Sequence, residues 1–472
     1  MGETIDIQKL SLDSSSKETL NLVVIGHVDA GKSTLMGHLL YLQGNVSQKV
    51  MHKYEKESKQ IGKASFSFAW VLDEQAEERA RGVTMDIGVT YFETPRKLVT
   101  LLDAPGHRDF VPNMISGAAQ ADCALLVVDA SPGEFEAGFH AGGQTKEHAV
   151  LARSLGVANI AVVINKMDMV NWSKERFDSI VSQISPFLRQ TGFREKNVKN
   201  VPCSGLAGEN LRSLSTDCPL RQWYTGLTLV QVIDDFPTAK RLVSKPMRMC
   251  ISDIYKSPSL GLVVAGKVEA GSILAGSKVM VMPASELATV KGVEYRQEGV
   301  KTASAGANVD IGISGIDIAK IAIGDVLCDV QQPVGAFKRF EAQIVTMQGA
   351  PPLLPGHQLD LFVQSVQAPA QLTRLISVLD KSTNEVVKSK PRCIPRSTSA
   401  IVEVSLQRPI CLELYSDYRA LGRFMLRERG VTIAAGIVTK LLRTDALARS
   451  SSSTSTSSRD QSPSPSTSRE PT

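Results

Sequence analysis

Apolar residues run along this chain in two textures. From Leu22 to about Phe236, near-continuous Val, Ile and Leu runs alternate with stretches of helical period. The runs are Leu22–Ile25, Leu98–Leu102, Cys123–Val128, Ile160–Ile164 and Val198–Cys203, a composition that suits strands buried on both faces. Helical spacing predicts Gln144–Leu155 and Ser173–Thr191, the second kinked or broken at Pro186, because proline lacks an N–H and its ring crowds the preceding turn. Asp86–Glu93 and Lys97–Leu102, joined across Pro95-Arg96, read as an antiparallel hairpin. Strand and helix in alternation predict an α/β domain with a doubly wound, mostly parallel sheet. Its ligand loops then lie at the carboxyl ends of the strands.

After Pro237 the texture changes to short β-branched runs separated by Gly, Pro, Asn and Ser turns. Val263–Gly266, Lys278–Met282, Val309–Ile313 and Asp325–Leu327 come first; Phe340–Met347, Leu359–Val363, Ile401–Leu406 and Ile433–Thr439 follow. Many short strands and no long helix predict two all-β barrels that meet near 331–336. The expected division is a flexible leader at 1–20, the α/β domain at 21–236, barrels at 240–330 and 335–442, and a Ser-rich disordered tail at 443–472.

Composition narrows this only a little. Apolar content of 43% and charged content of 21% are ordinary, and a net charge of +5 permits an anionic partner without requiring one. No apolar run approaches the length of a membrane span, and the first residues lack a signal-peptide core, so the expected location is the cytoplasm. Seven scattered cysteines without a C-x-x-C pair argue for reduced thiols rather than a disulfide frame or a zinc knuckle. Histidines 27, 38, 52, 140, 148 and 357 show no metal-ligand spacing.

The chemistry gathers at the predicted strand ends. Gly26-His27-Val28-Asp29-Ala30-Gly31-Lys32-Ser33-Thr34 follows the first run and precedes a helical pattern, the order a phosphate cradle needs. Gly26 and Gly31 let backbone N–H groups approach phosphate oxygens; Lys32 can reach the β- and γ-phosphates, and Ser33 can ligate Mg²⁺. Asp103-Ala104-Pro105-Gly106-His107 places Asp103 to hold Mg²⁺ through water and the Gly106 N–H to face the γ-phosphate. In Asn165-Lys166-Met167-Asp168, Asp168 can accept two hydrogen bonds from guanine, for which adenine has no matching donors. Asn165 ties this loop to the phosphate loop, and the Lys166 stem covers the base. Ser204-Gly205-Leu206 can offer backbone N–H groups to guanine O6, and Thr84, in Arg81-Gly82-Val83-Thr84, can complete the Mg²⁺ shell when a γ-phosphate is present. The phosphate loop with its flanking strand and helix already reads as a nucleotide site; the later stretches are weak alone, Asn165–Asp168 matching many surface turns and Arg81–Thr84 many strand entries. In this order they predict a GTP-binding switch domain.

These motifs resemble a translational GTPase of the elongation factor Tu and elongation factor one-alpha group, over about 21–442. Gly133–Phe139 with Gly142–Thr145 resembles the eukaryotic branch. Leu375–Thr383, Gln407–Tyr415 and Leu421–Arg427 resemble the Hbs-type ribosome-rescue GTPases, with eukaryotic release factor three as near neighbour. The resemblance implies GTP and GDP as ligands with Mg²⁺, the ribosome and its RNA as one partner, a Pelota-like protein as another, no membrane, and a monomer when free. It also implies that His107 orients the attacking water once the ribosome moves it, behind an apolar gate of Val28 and Val83. A release-factor-three-like factor and a carrier of aminoacyl-tRNA are the alternatives in this class; a GTP-dependent scaffold with little turnover is the alternative outside it. Gly142-Gly143-Gln144 reads as the start of a helix rather than a hydrolytic tripeptide, and Lys388–Arg392 as a basic loop of the last barrel. Hbs-type proteins usually carry a domain before the G domain, where this chain has about twenty residues, and the Ser-rich end is not a family feature.

Overall fold

The computed structural model describes residues 17–60, 66–72, 78–79, 84–140, 143–380 and 383–442. The predicted tail and most of the predicted leader lie outside them. In the first domain six strands, β1 (Glu18–Gly26), β2 (Gly88–Glu93), β3 (Lys97–Asp103), β4 (Cys123–Asp129), β5 (Asn159–Asn165) and β6 (Val198–Pro202), form one sheet in the order β2-β3-β1-β4-β5-β6. All pairings are parallel except β2 with β3. Among the described residues seven helices pack around it: α1 (Lys32–Leu42), α2 (Gln48–Gln60), α3 (Val111–Gln120), α4 (Glu134–Phe139), α5 (Gln144–Leu155), α6 (Lys174–Thr191) and α7 (Leu229–Asp235). Successive β1 residues feed opposite layers: Val23 and Ile25 join Leu126, Ile164 and Met114, whereas Leu22 and Val24 join Leu39, Leu125 and Val163. Burial on both faces is why these strands read as unbroken apolar runs.

Two expectations need correction. β1 starts at Glu18, inside the predicted leader, and Leu20 is fully buried. The polar Thr19 and Asn21 hide the start; the Asn21 amide is used, donating to Asp122 Oδ2 and the Gly306 carbonyl. Helix α6 runs through Pro186 without a break. Pro186 and Ser182, whose carbonyl loses its partner, are both exposed, so water satisfies that oxygen.

Beyond the G domain, six strands close into a ring in the order Lys278–Met282, Val326–Cys328, Arg248–Cys250, Gly261–Ala270, Asn308–Ser314 and Glu286–Tyr295, the last pairing back with the first. A second ring runs Gln358–Val363, Arg423–Glu428, Val431–Leu442, Ala336–Thr346, Ser399–Cys411 and Val366–Leu379, and closes the same way. Closure removes most free edges. The expected basic loop is partly strand: Lys388 and Ser389 end Val386–Ser389, an exposed edge strand on Val366–Leu379.

The G domain meets the two barrels differently. Toward the first, the buried Asp122 carboxylate takes an ion pair from Arg241 at 2.7 Å and another from Lys267 at 3.3 Å. Burial pushes this carboxyl up, but Lys267 and Arg241 outweigh it and hold it down at about 2. Toward the second, Phe362 and Met425 join the G domain's own core, and Arg427 pairs with Glu147 of α5 at 2.8 Å. All seven cysteines are free thiols, and all but Cys393 are buried.

Candidate functional site

The loop after β1 is shaped by its backbone. Gly31 takes φ 85°, a left-handed conformation that glycine adopts without strain, and caps the amino end of α1. A Cβ there would lie 2.6 Å from the Asn165 amide nitrogen. The Lys32 ammonium, 7% exposed, donates to the His27 carbonyl at 3.0 Å across the loop. Burial lowers its pKa, while the carboxylates of Asp103 and Asp29 act in the opposite sense. Gly106 closes over it from the end of β3: a Cβ at Gly106 would sit 2.3 Å from the Lys32 Nζ and 3.2 Å from the Gly26 carbonyl oxygen, so any larger residue would displace the lysine head.

Three oxygen-bearing side chains meet beside this lysine. Ser33 Oγ donates to Asp103 Oδ2 at 2.8 Å and lies 3.1 Å from Thr84 Oγ1. Asp103 is fully buried, and its Oδ1 has no hydrogen-bond partner among the described residues. Burial raises its carboxyl to about 6, with Lys32 and Ser33 pulling the other way. Hydroxyl and carboxylate oxygens around an orphaned acceptor fit Mg²⁺, a hard cation that usually keeps water and substrate phosphate among its ligands. No cluster of three or more His, Cys, Asp or Glu among the described residues could cage a metal by itself. Ser33, Thr84 and Asp103 are therefore the residues that would hold the ion, with phosphate oxygens completing the shell.

The opposite end is braced by one amide. Asn165 donates from Nδ2 to the Ala30 carbonyl at 2.9 Å and accepts the Gly205 N–H on Oδ1 at 2.8 Å. Lys166, at φ 60°, pairs with the buried Asp129 at 2.7 Å. Asp168 is half-buried, and its carboxylate has no hydrogen bond among the described residues. The expected trio of N–H donors at Ser204, Gly205 and Leu206 is narrower than the sequence implies. Gly205 is engaged by Asn165, and Ser204 donates to the Glu209 carbonyl at 3.2 Å in a short antiparallel bridge. Leu206 keeps its N–H.

One cavity of about 340 Å³ runs from Lys32, Ser33 and Thr84 at one end to Asn165, Asp168 and Leu206 at the other; Asp103, Gly205, Gly26, His27 and Ala30 are not on its lining. His107 and Val28 lie on its wall. His107 caps the short turn Arg108–Phe110, its Nδ1 accepting the Asp109 N–H at 3.3 Å, and its side chain is 44% exposed. Val83, with Arg81 and Gly82, lies outside the described residues, as does Gly142. Gly143 caps α5 and Gln144 begins it. Sequence reasoning missed three wall residues, Phe66, Ala69 and Met169. The aromatic cluster Phe66-Ser67-Phe68-Ala69-Trp70 was the available signal for the first two.

A phosphate loop, an oxygen cradle and an asparagine-braced base loop, at the ends of β1, β3 and β5 of a doubly wound sheet, define a P-loop domain that binds guanine nucleotides. The family model described as the elongation factor Tu GTP binding domain matches residues 17–238. Elongation factor Tu domain 2 matches 261–328, and the GTP-eEF1A C-terminal domain-like model matches 339–439. The chain is 50% identical over 428 residues to Protein HBS1 of Drosophila melanogaster, covering 91% of this chain and 64% of that protein, so it spans less than two thirds of that relative. It is 39% identical over 448 residues to elongation factor 1-alpha of Hypocrea jecorina, covering 93% of this chain and 97% of that one. The chain belongs to the elongation factor 1-alpha family of translational GTPases. The fold is shared with the GTPase-like domain of S. cerevisiae Ski7, at a TM-score of 0.74 and 21% identity over 90% of this chain and 97% of that one.

Proposed function

We propose that this chain hydrolyses GTP as a translation factor and, in its GTP form, delivers a Pelota-like protein to stalled ribosomes for subunit dissociation and no-go or non-stop mRNA decay. The observation that carries this reading is the 50% identity to a Protein HBS1, against 39% for the elongation factors, over nearly the same stretch of chain.

Within the site, Lys32 and the loop N–H groups bind the phosphates, and Ser33, Thr84 and Asp103 hold Mg²⁺. Bound there by those three residues, the ion would supply positive charge against the phosphates. Asp168 reads the N1 and N2 hydrogens of guanine, Leu206 the O6, and Lys166 covers the base. Gly106 faces the γ-phosphate. His107 positions the attacking water, and its exposure leaves it free to swing when the ribosome pushes on the turn at 108–110. Hydrolysis removes the γ-phosphate that keeps Thr84 engaged and so releases the cargo.

A carrier of aminoacyl-tRNA is the second reading, favoured by the chain's 97% coverage of an elongation factor 1-alpha. Pull-down with the chain locked on a non-hydrolysable GTP analogue separates the two. Capture of a Pelota-like protein supports rescue, and a class-one release factor would indicate termination. Recovery of tRNA alone would sink the rescue reading.

A further inference from the structure

His38 lies on α1 within two turns of the phosphate loop and is 8% exposed. Its Nδ1 is 2.7 Å from the Gly205 carbonyl oxygen. A carbonyl can only accept, so Nδ1 carries the hydrogen and the ring donates. The ring stacks flat on Phe68, with centroids 3.9 Å apart and planes 7° apart, which fixes its orientation. Phe68 sits in the segment 66–72, whose Phe66 and Ala69 line the nucleotide cavity. Gly205 is thus held on both sides: Asn165 takes its N–H and His38 its carbonyl.

That second bond reaches further than Gly205. The Gly205 carbonyl and the Leu206 N–H belong to the same planar trans peptide and lie antiparallel across it. Fixing the oxygen therefore aims the hydrogen the opposite way. The Leu206 N–H is the donor of this loop that no described residue uses, and Leu206 lines the cavity. Donation into the carbonyl also polarises the peptide and strengthens the N–H on its far side.

We propose that His38 is a specificity-positioning residue, which directs the Leu206 N–H at the O6 of the bound purine by holding the Gly205 carbonyl. The proposal rests on reading 204–206 as the base loop. It assigns the two edges of guanine to separate devices: Asp168 serves the N1–N2 edge, and the His38–Gly205–Leu206 chain serves O6.

Two nucleotide analogues separate them. The diphosphate of 2-aminopurine riboside lacks O6 and the N1 hydrogen, whereas inosine diphosphate keeps both and lacks the 2-amino group. The N1 loss is common to wild type and His38 variants, so the change in ratio between them reports on O6. Affinity ratios of GDP to each would be measured by competition against a fluorescent GDP for the full chain, His38→Phe, His38→Asn and His38→Gln. His38→Phe keeps the stack and removes the donor. It should lower the preference for GDP over the 2-aminopurine nucleotide about tenfold, the worth of one hydrogen bond, and leave the preference over inosine diphosphate unchanged. In His38→Asn the introduced amide nitrogen can occupy the place of Nδ1 and should restore the O6 preference, whereas the longer side chain of His38→Gln should not. That pair decides the matter if His38→Phe does not fold. An unchanged 2-aminopurine ratio in His38→Phe or His38→Gln, or an equal fall in both ratios, overturns the proposal. A wild-type chain that prefers GDP to neither analogue overturns the base-loop reading itself.

Discussion

The two ends of the nucleotide cavity are built on opposite plans. At the base end, Asn165, Gly205, Ser204 and Lys166 already hold protein partners (Ala30, Glu209, Asp129 and, between Asn165 and Gly205, each other), and Asp168 and Leu206 face the cavity. At the phosphate end, capacity is left open: Asp103 Oδ1 is buried without a partner among the described residues, and Lys32 holds only a loop carbonyl. His107 stands half in solvent on a short turn. A site that must recognise one base at all times benefits from rigidity. One that must fire only on command keeps its last catalytic contacts for the ligand, the ion and, in the function proposed above, the ribosome.

Substitutions can break that contrast, the strongest first. Asp168→Asn should change which base is bound rather than how well the phosphates are held. We expect GTP to lose about 10⁴-fold in affinity while xanthosine triphosphate gains, since the amide matches the xanthine edge. Unaltered GTP selectivity in a nucleotide competition assay would remove the base-reading role. Lys32→Ala strikes the other end and should weaken every nucleoside triphosphate alike, by about a thousandfold from loss of charge-assisted bonds, leaving base preference intact. Equilibrium dialysis with GTP and xanthosine triphosphate measures both quantities. His107→Ala sharpens the division within the phosphate end. GTP affinity should stay within about threefold, but ribosome-stimulated phosphate release should fall by about a hundredfold or more. Normal stimulated turnover rules out the assigned role. Asn165→Ala tests the brace between the ends. It orphans the Ala30 carbonyl and the Gly205 N–H together, so GDP dissociation followed by stopped-flow fluorescence should accelerate about tenfold to thirtyfold. An unchanged rate would mean the brace is idle.

Legibility followed the same division. The base end and the phosphate loop are contiguous motifs at the ends of apolar runs, so Asn165, Asp168, Lys32 and Ser33 stand out in sequence. What stayed hidden depends on contacts between distant segments. Thr19 and Asn21 disguise the start of β1, although Asn21 is engaged by Asp122 and Gly306. Val366–Leu379, the longest of the described strands, carries Pro369, Gln367 and Gln371, and its pattern was too polar to read as a strand until closure of the barrel buried one side. Pro186 misled because its cost depends on whether the freed carbonyl meets water, which only the orientation of α6 reveals. The capture of the Gly205 and Ser204 N–H groups was equally invisible, because one acceptor lies 40 residues upstream and the other in a turn with no signature.

The double grip of Asn165 has one more consequence. A single planar amide joins the base end to the phosphate loop, and its two hydrogen bonds, 2.9 Å to the Ala30 carbonyl and 2.8 Å from the Gly205 N–H, set their separation. The nucleotide then binds as a chelate. Once the phosphates are seated, the purine meets its loop at a high effective concentration, and the reverse holds. Guanosine and pyrophosphate offered as separate molecules would reach only a small part of the affinity that the covalent sugar link confers, because this protein recognises the span between them as well as the two ends.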